Sequence, residues 1–408
     1  MKALDYFLKY IKIDTTSNPE SETVPSSSNQ LVLADILLND LKELNVDEAF
    51  VKTGYVYAKL NNNTNNPNIK SVGFIAHMDT SCDSSGYNVQ TTIIENYHGE
   101  DIKLNERMTL GPKEFKGLNS CIGHDLVVTD GTTLLGADDK AGISEIMGLL
   151  SKIKEENIPH GDIYICFTPD EEIGRGVDHF DYDYFKVDFC YTIDGGEVGY
   201  IDYQNFNAST AIVTFNGVSI HPGDAKNKMI NSILLFEEFN NMLPKFLNPA
   251  YTENDEGFNH LTGINGSCEK TVASYIIRNH HKDLYLKQQK DFYEIEKYLN
   301  NKYKYKAVNV LIKESYENMY EIIKDHFDVV LLAQKAISKF VPVKSSYIRG
   351  GTDGARLTFN NLYCPNLGTG GYNFHGPYEF LSINQMNLSV QILEEIVYIL
   401  KEGLNYGK

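Results

Sequence analysis

Apolar residues recur near the start of the chain at the spacing of a helix face. Leu4, Phe7, Leu8 and Ile11 form one stripe, and Leu31, Ala34, Leu37, Leu38 and Leu41 a second. Short apolar runs then take over. Val72 to Ala76 reads as a buried strand ending on His77, Asp162 to Thr168 as a second ending at Pro169, and Asp188 to Ile193 as a third ending on Asp194. Between the first two, Ile143, Ile146, Met147 and Leu150 follow i, i+3, i+4 and i+7, which predicts a helix opening just after Asp138 and Asp139. Strands alternating with helices predict an α/β domain, a mostly parallel mixed sheet with helices on both faces. In such sheets sites form beyond the carboxyl ends of the strands, where these runs deliver a histidine and acids.

After about Phe206 the pattern changes. Ser209 to Phe215 and Val272 to Ile277 read as strands, Ile230 to Phe236 and Asp291 to Asn300 as helices, and Val308, Val310 and Ile312 alternate as a further strand. These elements predict an inserted α+β domain over 207–317, of viable size. Segments 1–206 and 318–408 then form one discontinuous domain, the chain returning through a helix near Val329 to Phe340 and a Gly-rich segment ending at His375. A length of 408 residues exceeds what one core usually supports, in keeping with two domains.

A net charge of -18 disfavours nucleic acid and anionic membranes as partners, because the long-range field repels both. The six cysteines form no C-x-x-C pair, so neither a thiolate zinc framework nor a disulfide scaffold is expected, and Cys166 and Cys190 read as buried hydrophobes. Asp5, Lys9 and Lys12 interrupt the first apolar stretch, which is unlike a signal peptide, and no run has transmembrane length. Cytoplasmic residence is the expectation.

The polar residues at the strand ends suggest metal chemistry. His77 and Asp79, two apart on an extended segment, project to one side, so Asp79 could ligate a metal or orient the imidazole; an ordinary surface turn has the same spelling. Asp138 and Asp139 sit at a helix entrance, where a first-turn acid is also a plain cap; Asp138 is the choice for a carboxylate shared by two cations. Gly136 and Gly142 beside them suit close backbone approach. Of Glu171 and Glu172, one could ligate while the other takes a proton from water, unless the run is a solvated loop. Asp194 and His375, each beside glycines, fit turns equally well. Taken together, His77, His375, Asp138, Glu172 and Asp194 give each of two metals three ligands if Asp138 is shared.

The strings GFIAHMDTS, TLLGADDKAGI, TPDEEIGRG, YTIDGGEVGYIDYQNFNA, GVSIHPGDAKNKMIN, RGGTDGARL and NFHGPYEF, with IDTTS before them, resemble the M20 family of co-catalytic metallopeptidases, in its aminotripeptidase branch. The resemblance implies a catalytic domain split by a lid, two divalent metal ions, most simply zinc, and release of the amino-terminal residue from tripeptides by a metal-bridging water. It implies His77 and Asp194 as ligands of one metal, Glu172 and His375 of the other, Asp138 as the bridge, Asp79 as support for His77, and Glu171 as the base. It also implies a cis peptide after the bridging aspartate. In the lid, His221 resembles a histidine that reaches the scissile carbonyl, and Asn231 and Arg278 resemble substrate contacts. Arg349 and Arg356, in the Gly-rich loop, are further candidates that could instead form lid-to-core ion pairs. A homodimer through the lid is expected. Adjacent His280 and His281 should face opposite ways at the surface rather than form a third metal site. Rival readings are another M20-type hydrolase (a dipeptidase, a carboxypeptidase or an N-acyl amino acid deacylase) and a catalytically inactive peptide-binding protein.

Overall fold

The three apolar runs that end at His77, Thr168 and Asp194 lie side by side in one sheet of the computed structural model, which describes residues 1–403. Val72 pairs in parallel with Ile163 on one side and with Phe189 on the other, so the three strands start level and finish level. The sheet has seven strands, in the order Glu48–Lys52, Tyr55–Leu60, Ile163–Thr168, Val72–His77, Phe189–Gly195, Asn366–Gly368 and Ile201–Asp202. Its centre is parallel, and antiparallel pairings close both edges. Strand Val72–His77 is buried along its whole length, as a strand covered on both faces must be.

Helix Ala137–Glu156 packs across strands Val72–His77 and Phe189–Gly195. The fit is close. A Cβ on Gly142 would lie 1.8 Å from the Ile193 carbonyl oxygen, so only glycine lets the helix approach there. Helix Asp353–Phe359 meets the Phe189–Gly195 strand within a separate apolar cluster that includes Ile75, Cys166, Cys190 and Leu357. Cys166 and Cys190 are buried, as expected. In helix Asn29–Glu43 the expected stripe is corrected at one position: Leu31 is exposed and Leu33 takes the inward place.

Two further elements lie outside those read from the sequence pattern. A small sheet of Gly371–Tyr372, Phe380–Ser382, Leu126–Thr129 and Thr91–Ile94 is built from strands too short to show alternation. Helix Ile383–Glu402 packs on helix Ala137–Glu156.

The described residues form two compact units, one of residues 1–203, 321–346 and 352–403, the other of Gln204–Tyr320 with Tyr347–Gly351. The second unit is a four-stranded antiparallel sheet in the order Phe258–Gly266, Lys270–Asn279, Asn207–Asn216 and Val308–Tyr316. Buried residues alternate along Lys270–Asn279, and that face packs with helices Ser232–Met242 and Lys282–Tyr303 around Phe215, Phe239, Tyr275 and Phe292. One expectation fails in this unit. His280 is 3% exposed rather than on the surface, its Nε2 facing the Ile348 carbonyl at 3.0 Å and its Nδ1 that of Asp255 at 3.3 Å. His281 is exposed and pairs with Asp255.

Candidate metal centre

The parallel strands carry their polar residues to one end of the sheet. His77 is the last residue of its strand, Asp194 lies near the end of the next, and Glu171 and Glu172 follow Thr168 in a single helical turn, Glu171–Ile173. Asp138 arrives from the opening of helix Ala137–Glu156, where the backbone is not yet helical and the Asp138–Asp139 peptide is cis. His375 arrives from a turn beyond Gly371–Tyr372, in a left-handed conformation at φ 65°.

Asp138 stands between the two imidazoles. Its Oδ1 lies 2.8 Å from His77 Nε2 and its Oδ2 3.2 Å from His375 Nε2. Each ring has a second acid of its own: Asp194 Oδ1 is 3.5 Å from His77 Nε2, and Glu172 Oε2 is 3.0 Å from His375 Nε2. All five expected ligands thus meet, with one carboxylate offering a different oxygen to each half. Asp139 is a geometric competitor, since it can also group with His77 and Asp194 within 4.8 Å. Its oxygens are already engaged: Oδ2 accepts the His77 N–H at 3.1 Å and Oδ1 the Gly142 N–H at 3.2 Å. Asp139 therefore ties the strand end to the helix, while the Asp138 carboxylate stands between the two imidazoles.

Asp79 lies against His77 and has further partners besides. The closer partner of His77 Nδ1 is the Asp79 backbone carbonyl at 3.0 Å, with the carboxylate at 3.4 Å. The carboxylate also accepts the backbone N–H of Glu171 at 2.9 Å and of Glu172 at 3.1 Å. Asp170 anchors the same loop from its other side, accepting from the Ser26 N–H and the Gln30 side chain.

Burial and crowding set the electrostatics. Burial pushes Asp194 up to about 6, Glu172 up to about 7, and Glu171 well above the usual carboxylate range. Asp138 goes the other way: burial opposes its charge, but hydrogen bonds from His375 and His77 draw it well below that range. The same bonds, to Asp138 and Glu172, lift His375 to about 11. Buried acids driven towards neutrality are what a polycationic site looks like without its charges. Glu172 Oε1 is also buried with no hydrogen-bond partner, a cost that a cation removes. The nitrogen and oxygen donor set therefore fits two divalent ions.

Residues 203–308 match the family model for the peptidase dimerisation domain. Over 405 residues the chain is 49% identical to the peptidase T of Clostridium perfringens (strain 13 / Type A), covering 98% of this chain and 99% of that one. The chain belongs to the peptidase T family. Two solved structures share the fold: the aminopeptidase PepT from Bacillus cereus ATCC 10987, at a TM-score of 0.76 and 20% identity, and a tripeptidase from Staphylococcus aureus subsp. aureus Mu50, at 0.77 and 21%. Each comparison covers 98% of both chains.

The remaining candidates of this peptidase T family chain occupy varied settings. His221 is exposed and its Nδ1 accepts the Gly223 N–H, while Asn231 caps helix Ser232–Met242 through the Ile233 N–H. Arg278 donates to the Ser209 and Ile277 carbonyls and lies over the Tyr316 ring. The partners of the two later arginines, which could have been lid-to-core ion pairs, lie within single units. Arg349 donates to the carbonyls of Thr252, Asn254 and Glu256 inside the second unit. Arg356 sits on helix Asp353–Phe359 rather than in the loop, and ties the Gly174 carbonyl and Asp178 inside the first unit. Two acids had no assigned role although they lie within the family strings. Asp353 is buried, accepts the Thr168 hydroxyl at 2.9 Å, and is pushed up by burial to about 7; Glu379 is buried beside Asp138.

Proposed function

We propose that the chain is a metal-dependent aminopeptidase that releases the amino-terminal residue from tripeptides. The observation that carries this reading is the placement of Asp138, one oxygen towards each of two histidines that have their own further carboxylates. His77 and Asp194 would hold one cation and His375 and Glu172 the other, with Asp138 shared between them. When bound, the two ions supply Lewis acidity to a water and to a peptide carbonyl.

The chain's own residues do the rest. Glu171, held beside the ligands by the bond from its N–H to Asp79, would take a proton from the attacking water and return it to the leaving amine. Asp79 holds Glu171 and Glu172 in register through their N–H groups. The Asp79 carbonyl faces Nδ1 of His77, which leaves Nε2 directed at the acids. Zinc is the assigned metal, because imidazole and carboxylate with an open position suit it. The dimerisation-domain match supports a homodimer built through the second unit. No described helix is long and apolar enough to cross a membrane, and the six free cysteines favour a reducing, cytoplasmic setting.

The test is a panel of di-, tri- and tetrapeptides with free and blocked amino ends, given to zinc-loaded protein. Release of the first residue from free tripeptides, fastest of the panel, is the expected result. Faster cleavage of blocked peptides, or release from the carboxyl end, overturns the assignment in favour of another hydrolase on this scaffold.

A further inference from the structure

Glu379 is buried at 1% exposure, and both of its oxygens are spent on backbone N–H groups of one short segment. Oε2 accepts from Leu135 at 2.7 Å and from Gly136 at 2.9 Å, and Oε1 accepts from Asp138 at 3.1 Å. Those N–H groups open helix Ala137–Glu156, where no preceding turn offers an acceptor. The segment is irregular, with Gly136 left-handed at φ 79° and Asp138 outside helical angles. Nothing in a regular ladder fixes the direction of the Asp138 side chain.

The anchor is itself fixed. The Glu379 N–H donates to the Gly376 carbonyl at 3.1 Å, the Thr129 hydroxyl donates to the Pro377 carbonyl at 3.0 Å, and Phe380 begins the strand that pairs with Val128. His375 lies on this same turn. One turn thus carries an imidazole that faces Asp138 and the carboxylate that holds the Asp138 backbone.

We propose that Glu379 is a positioning residue, which sets where the Asp138 carboxylate stands between the two histidines by clamping the Leu135–Asp138 backbone. The inference rests on the reading of Asp138 as the bridging ligand. An ordinary helix cap would stabilise the fold and leave the metal centre indifferent to its loss; the clamp couples the two.

The experiment is a double-mutant cycle on metal-stripped, full-length protein, with zinc affinity read by competition against a chromophoric chelator. The variants are Glu379→Gln, which turns one acceptor into a donor facing an N–H group, Asp138→Asn, and the pair. Glu379→Gln alone is expected to weaken zinc binding about 10- to 100-fold, with the kcat for a tripeptide falling and KM little changed. In the Asp138→Asn background the second change should cost less than about 2-fold, because the carboxylate it positions is already gone. Additive losses, or wild-type affinity in Glu379→Gln, overturn the inference. Asp138→Asn by itself tests the underlying reading separately: two zinc ions bound at wild-type affinity would remove the bridge, whatever Glu379 does. If Glu379→Gln does not fold, the same cycle is run with Glu379→Asp, which keeps the charge and shortens the reach.

Discussion

The Asp79 carboxylate accepts the backbone N–H of Glu171 at 2.9 Å, which makes the acid beside the first histidine a brace for the base loop. The second oxygen does the same for Glu172, so one side chain holds the backbone of both glutamates. Asp79→Asn keeps the shape but presents an NH2 group to one of those N–H donors. We expect kcat to fall about 10- to 100-fold with KM for the tripeptide nearly unchanged. Steady-state kinetics at saturating zinc checks this, and a rise in KM at constant kcat would point to a substrate contact instead.

Glu171→Gln removes the proposed proton acceptor and leaves the proposed ligands in place. Zinc binding should persist at the wild-type stoichiometry, while turnover falls about 100- to 10,000-fold. Turnover near the wild-type rate would transfer the base role elsewhere.

Metal removal should invert the usual effect of pH on stability. Asp194 at about 6, and Glu172, Asp353 and Glu379 at about 7, keep their protons longer in the folded chain than unfolded carboxyls near 3.8 to 4.5. Folded protein then binds more protons than unfolded across that window, so stability falls as pH rises from about 4 to 7. His375, lifted to about 11, adds a stabilisation present below 6.5 and lost as pH climbs towards 11, in the same direction. Chelator-treated protein should therefore melt at a lower Tm at pH 8 than at pH 5.5. Zinc-loaded protein should reverse or flatten the trend, since binding needs deprotonated ligands. A Tm of the stripped protein that rises over this range contradicts the electrostatic account.

Gly142→Ala places a Cβ against the Ile193 carbonyl, one residue before Asp194. Overpacking of this kind costs about 1–3 kcal/mol. A lower Tm is expected, and weaker zinc binding with it because Asp194 moves with the strand; scanning calorimetry and chelator competition measure the two.

What was legible in the sequence follows from local physics. His77, Glu172 and Asp194 stood out because fully buried parallel strands are continuous apolar runs, and the sheet brings their ends level. Asp138 was marked by its glycines, and Gly142 is now tied to a specific close contact. Strand Phe258–Gly266 escaped because FNHLTGING, a sheet edge, is largely exposed and carries two glycines that break alternation. The strands beside Glu379 are two to four residues long, below any readable period. The clamps made by Asp79, Asp139 and Glu379 were invisible for another reason. Their partners are backbone N–H groups, which every residue supplies, so no residue type marks them. His280 shows the same limit, since its burial depends on carbonyls from Asp255 and Ile348, remote in sequence.

The proposed sharing of the Asp138 carboxylate by two cations is the centre of the account, and titration of metal-stripped protein with zinc tests it most directly. Tripeptide hydrolysis should rise until two equivalents per chain are bound and then level off. A plateau at one equivalent, or activity that survives complete removal of metal, would contradict it.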